Sequence, residues 1–205
     1  MNTQIINKHF NTDKYVRVDC FLSREIAKMI GQSAVYTMLN SKEDERGGDE
    51  QVPAKYTEYS NPIMESLLLY CKNRMEEITG LELCPSYSYF RIYQTGNELK
   101  NHVDRESCEI SATVTLAYKN DATLSPWPIW IKGEDGNVSS IALHEGDAII
   151  YRGEELEHWR EPMDGNEDSF QVQVFLHYID KNGPYYPKFV NDKRPCIGIK
   201  KENIR

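Results

Sequence analysis

The sequence predicts an α+β protein, with two helices in the first 80 residues packed against a C-terminal double-sheet β barrel. Apolar residues recur at helical spacing up to Gly80. Beyond it the texture changes to short β-rich runs divided by turn residues. The 205 residues are 40% hydrophobic and 11% aromatic, enough for one sizeable core and incompatible with a disordered chain. The expected organisation is a single domain over 1–205: a helical lead-in at 1–80, a barrel at 81–180 and a basic tail at 181–205 that wraps the surface.

Residues 16–22 alternate weakly and read as a short strand. Ser23 then stands as an N-cap before Arg24-Glu25-Ile26, and Ile26, Met29, Ile30, Val35 and Met38 fall mostly on one helical face. Residues 41–60 hold many charges, two adjacent glycines and a proline, and read as a mobile surface loop too polar to bury. Asn61-Pro62 gives an N-cap with proline at the first helical position. Ile63, Leu67, Tyr70, Cys71, Met75 and Ile78 carry the second helix to its stop at Gly80. Strands are expected at 87–93, 110–118, 129–132, 138–143, 148–151, 156–161 and 170–179, with turns such as Lys119-Asn120-Asp121 and Gly-Glu-Asp-Gly-Asn between them.

The net charge is −8, from 32 acidic and 24 basic residues, the opposite of what a phosphate-backbone binder shows, so no nucleic-acid partner is expected. No apolar run approaches the roughly 20 residues that span a bilayer, and the opening residues lack a secretory apolar stretch. The five cysteines are scattered, odd in number and without a Cys-x-x-Cys pair. Neither a disulfide framework nor a cysteine zinc site is expected, and the reducing cytoplasm is the expected compartment.

One constellation carries chemistry. His102-Val103-Asp104 follows a glycine-containing turn, and in extended chain positions i and i+2 face the same way. His158 lies on a later strand that a barrel can bring alongside. Two imidazoles and one carboxylate make the facial triad of non-haem Fe(II) oxygenases, which leaves coordination positions open.

The surroundings extend this. Tyr93-Gln-Thr-Gly96 leading to His102-Val-Asp104 resembles the Tyr-x-x-Gly…His-x-Asp segment of the prolyl 4-hydroxylase-like 2-oxoglutarate/Fe(II) dioxygenases. The run from Ser111 to Tyr118, the Gly146-Asp147 turn and His158-Trp-Arg-Glu-Pro162 are similar to that family's following strand, tight turn and His-x-x-x-Pro, in the same order. The resemblance covers about residues 15–180. It implies a double-stranded β-helix (jelly roll) and an enzyme using Fe(II), 2-oxoglutarate and O2 to hydroxylate an unactivated C–H bond. Ascorbate is the implied in-vitro reductant. The partner is an unidentified small-molecule or peptide substrate. Halogenation is disfavoured because Asp104 stands where halogenating relatives carry a small residue.

There is one departure. The family places a Lys or Arg about ten residues beyond the distal histidine to hold the far carboxylate of 2-oxoglutarate, and the stretch from Glu167 to Gln173 has no cation. Arg160 shares a face with His158 and takes the role, with Tyr93 and Gln173 donating hydrogen bonds. Arg91 is the reserve, and Arg152, at a strand end, is disfavoured. Tyr89 and Arg91 share the face of Tyr93 by strand parity. Gln171, Gln173, Phe175 and His177 share another, where His177 is a core histidine or a support of the site.

His9 and His144 read as solvated and turn residues. Arg105 and Glu106 read as surface ion pairs, or as rim contacts to a polar substrate. Trp127-Pro-Ile-Trp130 is an apolar edge or a substrate wall, and residues 41–60 a linker or a lid. Two rival functions remain at this stage: a cupin-like metal-dependent hydrolase or isomerase on the same triad, and a non-catalytic jelly-roll binding module.

Overall fold

Strict alternation along the longest strands decides the layering. In Phe170–Asp180, Val172, Val174, Leu176 and Tyr178 turn to an apolar layer, while Gln171, Gln173, Phe175 and His177 turn the other way. The computed structural model describes residues 3–120 and 125–200. Helices α1 (Thr3–Asp13), α2 (Arg24–Asn40) and α3 (Pro62–Thr79) accompany strands β1 (Tyr15–Val18), β2 (Tyr56–Tyr59), β3 (Leu83–Gln94), β4 (Leu99–His102) and β5 (Ile110–Lys119). There follow β6 (Ile129–Lys132), β7 (Val138–Ile141), β8 (Ala148–Tyr151), β9 (His158–Arg160) and β10 (Phe170–Asp180).

The strands form a six-stranded sheet, β1-β8-β5-β10-β3-β2, and a four-stranded one, β4-β9-β6-β7, and every named pairing is antiparallel. The two sheets make a double-stranded β-helix. α2 packs on β5 and α3 on β3, so the outer face of the large sheet and the helices share one apolar core. Two smaller clusters lie apart from it. Ile129, Ile131, Ile149, Tyr151 and Leu156 make one, and Val52, Ala54, Tyr93, Leu99, Trp127 and Met163 the other.

The caps form as the sequence predicts. Ser23 accepts from the Ile26 N–H, Asn61 from the Ile63 N–H, and Gly80 ends α3 in the left-handed region at φ 73°. Several expectations need correction. α1 is a third N-terminal helix that went unread because Phe10 is its one fully buried anchor among the described side chains, too little to make a period. Met29 is 65% exposed. α2 instead buries Ile30 with Ala27, Gly31 and Ala34, and the small size of the last three admits the β5 backbone closely. In α3, Ile63 and Tyr70 are exposed, and Met64 and Leu68 are buried beside Leu67, Cys71, Met75 and Ile78. The first strand stops at Val18.

Residues 41–60 are not a surface loop throughout. β2 extends the large sheet, and Val52 and Ala54 are buried under Tyr93 and Trp127. One of its carboxylates is used internally: Asp49 Oδ1 accepts from the Gln51 and Val52 N–H groups, fixing the turn, while Glu43, Asp44, Glu45 and Glu50 are exposed.

The tail lies mostly at the surface but is pinned by two buried residues, Asp192 and Arg194. Arg194 is buried against Glu65 at 3.0 Å, donates to the Ser86 carbonyl and bonds Ser60. Glu65 also accepts from the Ser88 N–H and hydroxyl and from the Gly198 N–H. One carboxylate thus ties α3, β3 and the tail together. Residues 201–205 of the tail and Asp121 of the predicted turn lie outside the described residues.

Breaking a buried pair leaves an uncompensated charge, at a cost of about 3–5 kcal/mol. Glu65→Ala and Arg194→Ala are each expected to lose that much in urea denaturation, and the double variant to lose less than the sum.

Candidate metal centre and its cavity

The pairing of β4 with β9 sets His102 opposite His158. Asp104 follows two residues on, its N–H bonded to the Gly153 carbonyl at 2.8 Å. Each imidazole Nδ1 lies against the carbonyl two residues back: His102 on Lys100 at 2.8 Å, His158 on Leu156 at 2.9 Å. A carbonyl only accepts, so each Nδ1 carries the proton and each Nε2 presents its lone pair. Both Nε2 atoms sit 3.6 Å from Asp104 Oδ1, and the three ligand atoms fall within 4.8 Å of one another. Burial alone would raise the Asp104 carboxyl, but the contacts of His102 and His158 outweigh it and hold the group well below the usual carboxylate range. Burial also disfavours a proton on His102, and Asp104 again outweighs it, raising the imidazole.

The triad opens on a cavity of about 230 Å³ between the sheets, lined also by Tyr89, Arg91, Arg105, Tyr151, Arg160 and His177. Arg160, on β9 with His158, is 2% exposed. Its Nη1 donates to the Trp127 carbonyl at 2.6 Å, and its guanidinium lies 4.9 Å from the Trp127 ring. Among the described residues its Nε and Nη2 have no partner, and neither does Oε1 of buried Gln173. Burial pushes the Arg160 pKa down to about 10, so it stays cationic at neutral pH, and an unpaired cation at this depth demands an anion.

No family model matches the sequence and no curated protein matches it. Solved structures do. A Pseudomonas putida prolyl-4-hydroxylase superposes with TM-score 0.65 at 13% identity, over 86% of this chain and 98% of that one. An oxidoreductase of the 2OG-Fe(II) oxygenase family from Burkholderia pseudomallei gives 0.65 at 10%, over 94% of each. The epimerase SnoN of nogalamycin biosynthesis, solved with Fe3+ and α-ketoglutarate, gives 0.70 at 12%, over 97% and 92%. The chain has the fold of the 2-oxoglutarate/Fe(II) oxygenases.

Within that fold the donor set fits iron, since two neutral imidazoles and one carboxylate on one side leave positions open. The unpartnered nitrogens of Arg160 fit a carboxylate. Residues 158 and 160 stand about 7 Å apart along an extended strand, the reach of a five-carbon dicarboxylate. Tyr93 is fully buried near Arg160, its ring centroid 5.9 Å from the guanidinium carbon, and its hydroxyl accepts from Arg91 Nη1 at 3.4 Å. Gln173 sits on the facing strand, its amide donating to Thr115 Oγ1 at 2.8 Å.

Arg91 differs from Arg160 in having a carboxylate already: Asp49 at 2.5 Å, with Gln51 beside it at 2.8 Å. Arg152 pairs with Glu155 outside the cavity lining. The inner-face places of β10, where the sequence offers no cation, hold Gln171, whose amide grips the Trp127 backbone at 2.7 and 3.0 Å, and Gln173. His177 lines the cavity with Nδ1 on Ser111 Oγ at 2.8 Å, and burial pushes its imidazole down to about 4. His9 is exposed on α1, and His144 bonds Tyr118 in its turn.

Sequence reasoning missed Tyr87, Asp49, Gln51 and Tyr59 as cavity-lining residues. Tyr87 continues the parity of Tyr89, Arg91 and Tyr93 and was readable. Asp49 was one acid among many in a charged stretch.

Because the Arg160 charge is buried without a counter-ion, Arg160→Met is expected to raise the stability of the ligand-free protein by about 1–3 kcal/mol in chemical denaturation. A loss of stability would mean that the bond to Trp127 outweighs the desolvation of the charge.

Proposed function

We propose that the protein is an Fe(II)- and 2-oxoglutarate-dependent dioxygenase that hydroxylates an unactivated C–H bond of a small-molecule or peptide substrate. The observation that carries this is Arg160: a buried guanidinium with two unpartnered nitrogens, one strand repeat from a metal-competent histidine. A dioxygenase needs a carboxylate anchor for its cosubstrate whatever its substrate, whereas a hydrolase or isomerase on the same triad needs one only for an anionic substrate.

His102 Nε2, His158 Nε2 and an Asp104 oxygen would hold the metal, and Arg160, helped by Tyr93 and Gln173, the distal carboxylate. Bound there together, Fe(II), 2-oxoglutarate and O2 supply an oxidative decarboxylation coupled to C–H oxidation, with succinate and carbon dioxide as co-products. The chain's own contribution is preorganisation. The Lys100 and Leu156 carbonyls fix both histidine tautomers before any ligand arrives. The Trp127 carbonyl and the Tyr93 and Trp127 rings fix Arg160. Leu99, Ile129 and Tyr151 give the cavity an apolar wall that limits water.

The cytoplasm fits the five unbridged cysteines, of which Cys71 and Cys108 are buried. No helix among the described residues is long and apolar enough to cross a membrane.

His102→Ala, Asp104→Ala and His158→Ala are each expected to abolish stoichiometric Fe(II) binding in anaerobic calorimetry, and 2-oxoglutarate turnover with it. Full-strength iron binding by the double variant of His102 and His158 would refute the metal site. Arg160→Ala is expected to raise the KM for 2-oxoglutarate about a hundredfold, the loss of a charge-assisted pair of about 3 kcal/mol, with iron affinity nearly unchanged. Succinate release with Fe(II) and ascorbate reads this out. If Arg91→Ala rather than Arg160→Ala destroys 2-oxoglutarate binding, the anchor lies on β3.

A further inference from the structure

Three arginines line the cavity: Arg91, Arg105 and Arg160. Every nitrogen of Arg91 is engaged, Nε and Nη2 with Asp49, Nη2 also with Gln51, and Nη1 with Tyr93. Arg105 is left for the primary substrate, because the dioxygenase reading gives Arg160 to 2-oxoglutarate. Its side chain is 52% exposed and immediately follows Asp104. The guanidinium lies 4.6 Å over the Tyr87 ring, Nε donates to a tyrosine hydroxyl (Tyr87, 3.3 Å), and Nη2 donates to Asp192 at 3.1 Å. The bonds to Tyr87 and Asp192 use Nε and Nη2 and leave Nη1 out of both. A guanidinium pinned on one edge and stacked on a ring has lost its rotamer freedom in advance and presents its remaining edge to an incoming anion.

The support is specific. Asp192 is 1% exposed and also accepts from the Tyr59 hydroxyl at 2.7 Å. It sits in a run of non-glycine residues held left-handed, Asn191, Asp192 and Lys193 at φ 52°, 51° and 63°. Such backbone persists only where the surroundings enforce it, and it gathers at ligand clamps. The cavity wall is aromatic: Tyr87, under Arg105, stands 5.1 Å from Tyr59, and Tyr89 and Phe175, under Arg91, stand 6.3 Å apart.

We infer that the primary substrate is a small carboxylic acid with an apolar or aromatic body, its carboxylate bound by Arg105, and that Asp192 and Tyr87 are positioning residues for that guanidinium. The same cavity of about 230 Å³ also holds 2-oxoglutarate in this reading, so the space left beside Arg105 takes only a compact body.

Phenylacetate and L-phenylalanine, each against its amide, are titrated calorimetrically into the full chain under nitrogen. One arm contains Fe(II) and 2-oxoglutarate and the other neither. Each acid is expected to bind at least tenfold tighter than its amide. Arg105→Gln should erase that ratio and Arg105→Lys keep part of it. Asp192→Asn should lower the ratio about threefold, leaving part of it, while amide affinity holds, a change that general loosening of the fold does not produce.

Equal affinities for acid and amide, including no measurable binding of either, overturn the assignment. So does a ratio that survives Arg105→Gln, or one erased only by Arg160→Met, which would put the probe in the cosubstrate position. Failure of the parent to bind Fe(II) and 2-oxoglutarate, with the acid preference intact in the other arm, would count against the dioxygenase reading alone.

Discussion

The register between β4 and β9, which sets His102 directly opposite His158, is the constraint on which the rest of the structure depends. A slip of one residue would turn one imidazole out of the barrel, because side chains alternate along a strand. The register is defended from both sides. Leu99 pairs with Arg160 across a register shift that separates it from His102, β6 pairs with β9 through Trp130↔Trp159 and Ile131↔His158, and the Trp130 and Trp159 rings stack at 6.2 Å. Once the two histidines face each other, Asp104 needs only the two-residue repeat to join them.

The cavity exists because the inner and outer faces of the large sheet follow different rules. Outward, Phe90, Ile92, Val114, Val174 and Leu176 close against the helices and exclude everything else. Inward, the same strands present Arg91, Thr113, Thr115, Gln173 and His177, which cannot collapse on one another without leaving donors and acceptors unmatched. Apolar clusters around Tyr151 and around Trp127 fill part of the interior. The remainder stays open, lined by the triad and Arg160. The unpartnered nitrogens of Arg160 there are a local cost that a carboxylate would remove, whereas Gln173 Oε1 needs a donor.

How far the sequence reached follows from the kind of signal involved. His102, Asp104 and His158 were legible because a two-residue repeat, a turn and a later strand have local signatures, and Arg160 because parity with His158 is a local property too. The helix caps at Ser23 and Asn61 were legible for the same reason. What escaped depends on distant partners. Asp49 acquires its place only when Arg91 arrives from a strand 42 residues on, and Arg194 only when Glu65 does. Nothing in a run of acids or a basic tail marks which charge will be buried. Met29 misled in the opposite direction: its size suggested core, whereas close packing on β5 selected alanine and glycine on the other side of the helix.

Both arginines outside the deepest part of the cavity are held by carboxylates from segments that lie outside the barrel's paired strands: Arg91 by Asp49, before β2, and Arg105 by Asp192, after β10. The barrel therefore supplies the candidate metal centre, while two short peripheral stretches set how the mouth presents its charge. These two jobs are written in non-overlapping parts of the chain. Selectivity is then open to change at Asp49, Gln51 and residues 189–193, while Val52, Ala54, Arg194 and every strand that carries the triad are left as they stand.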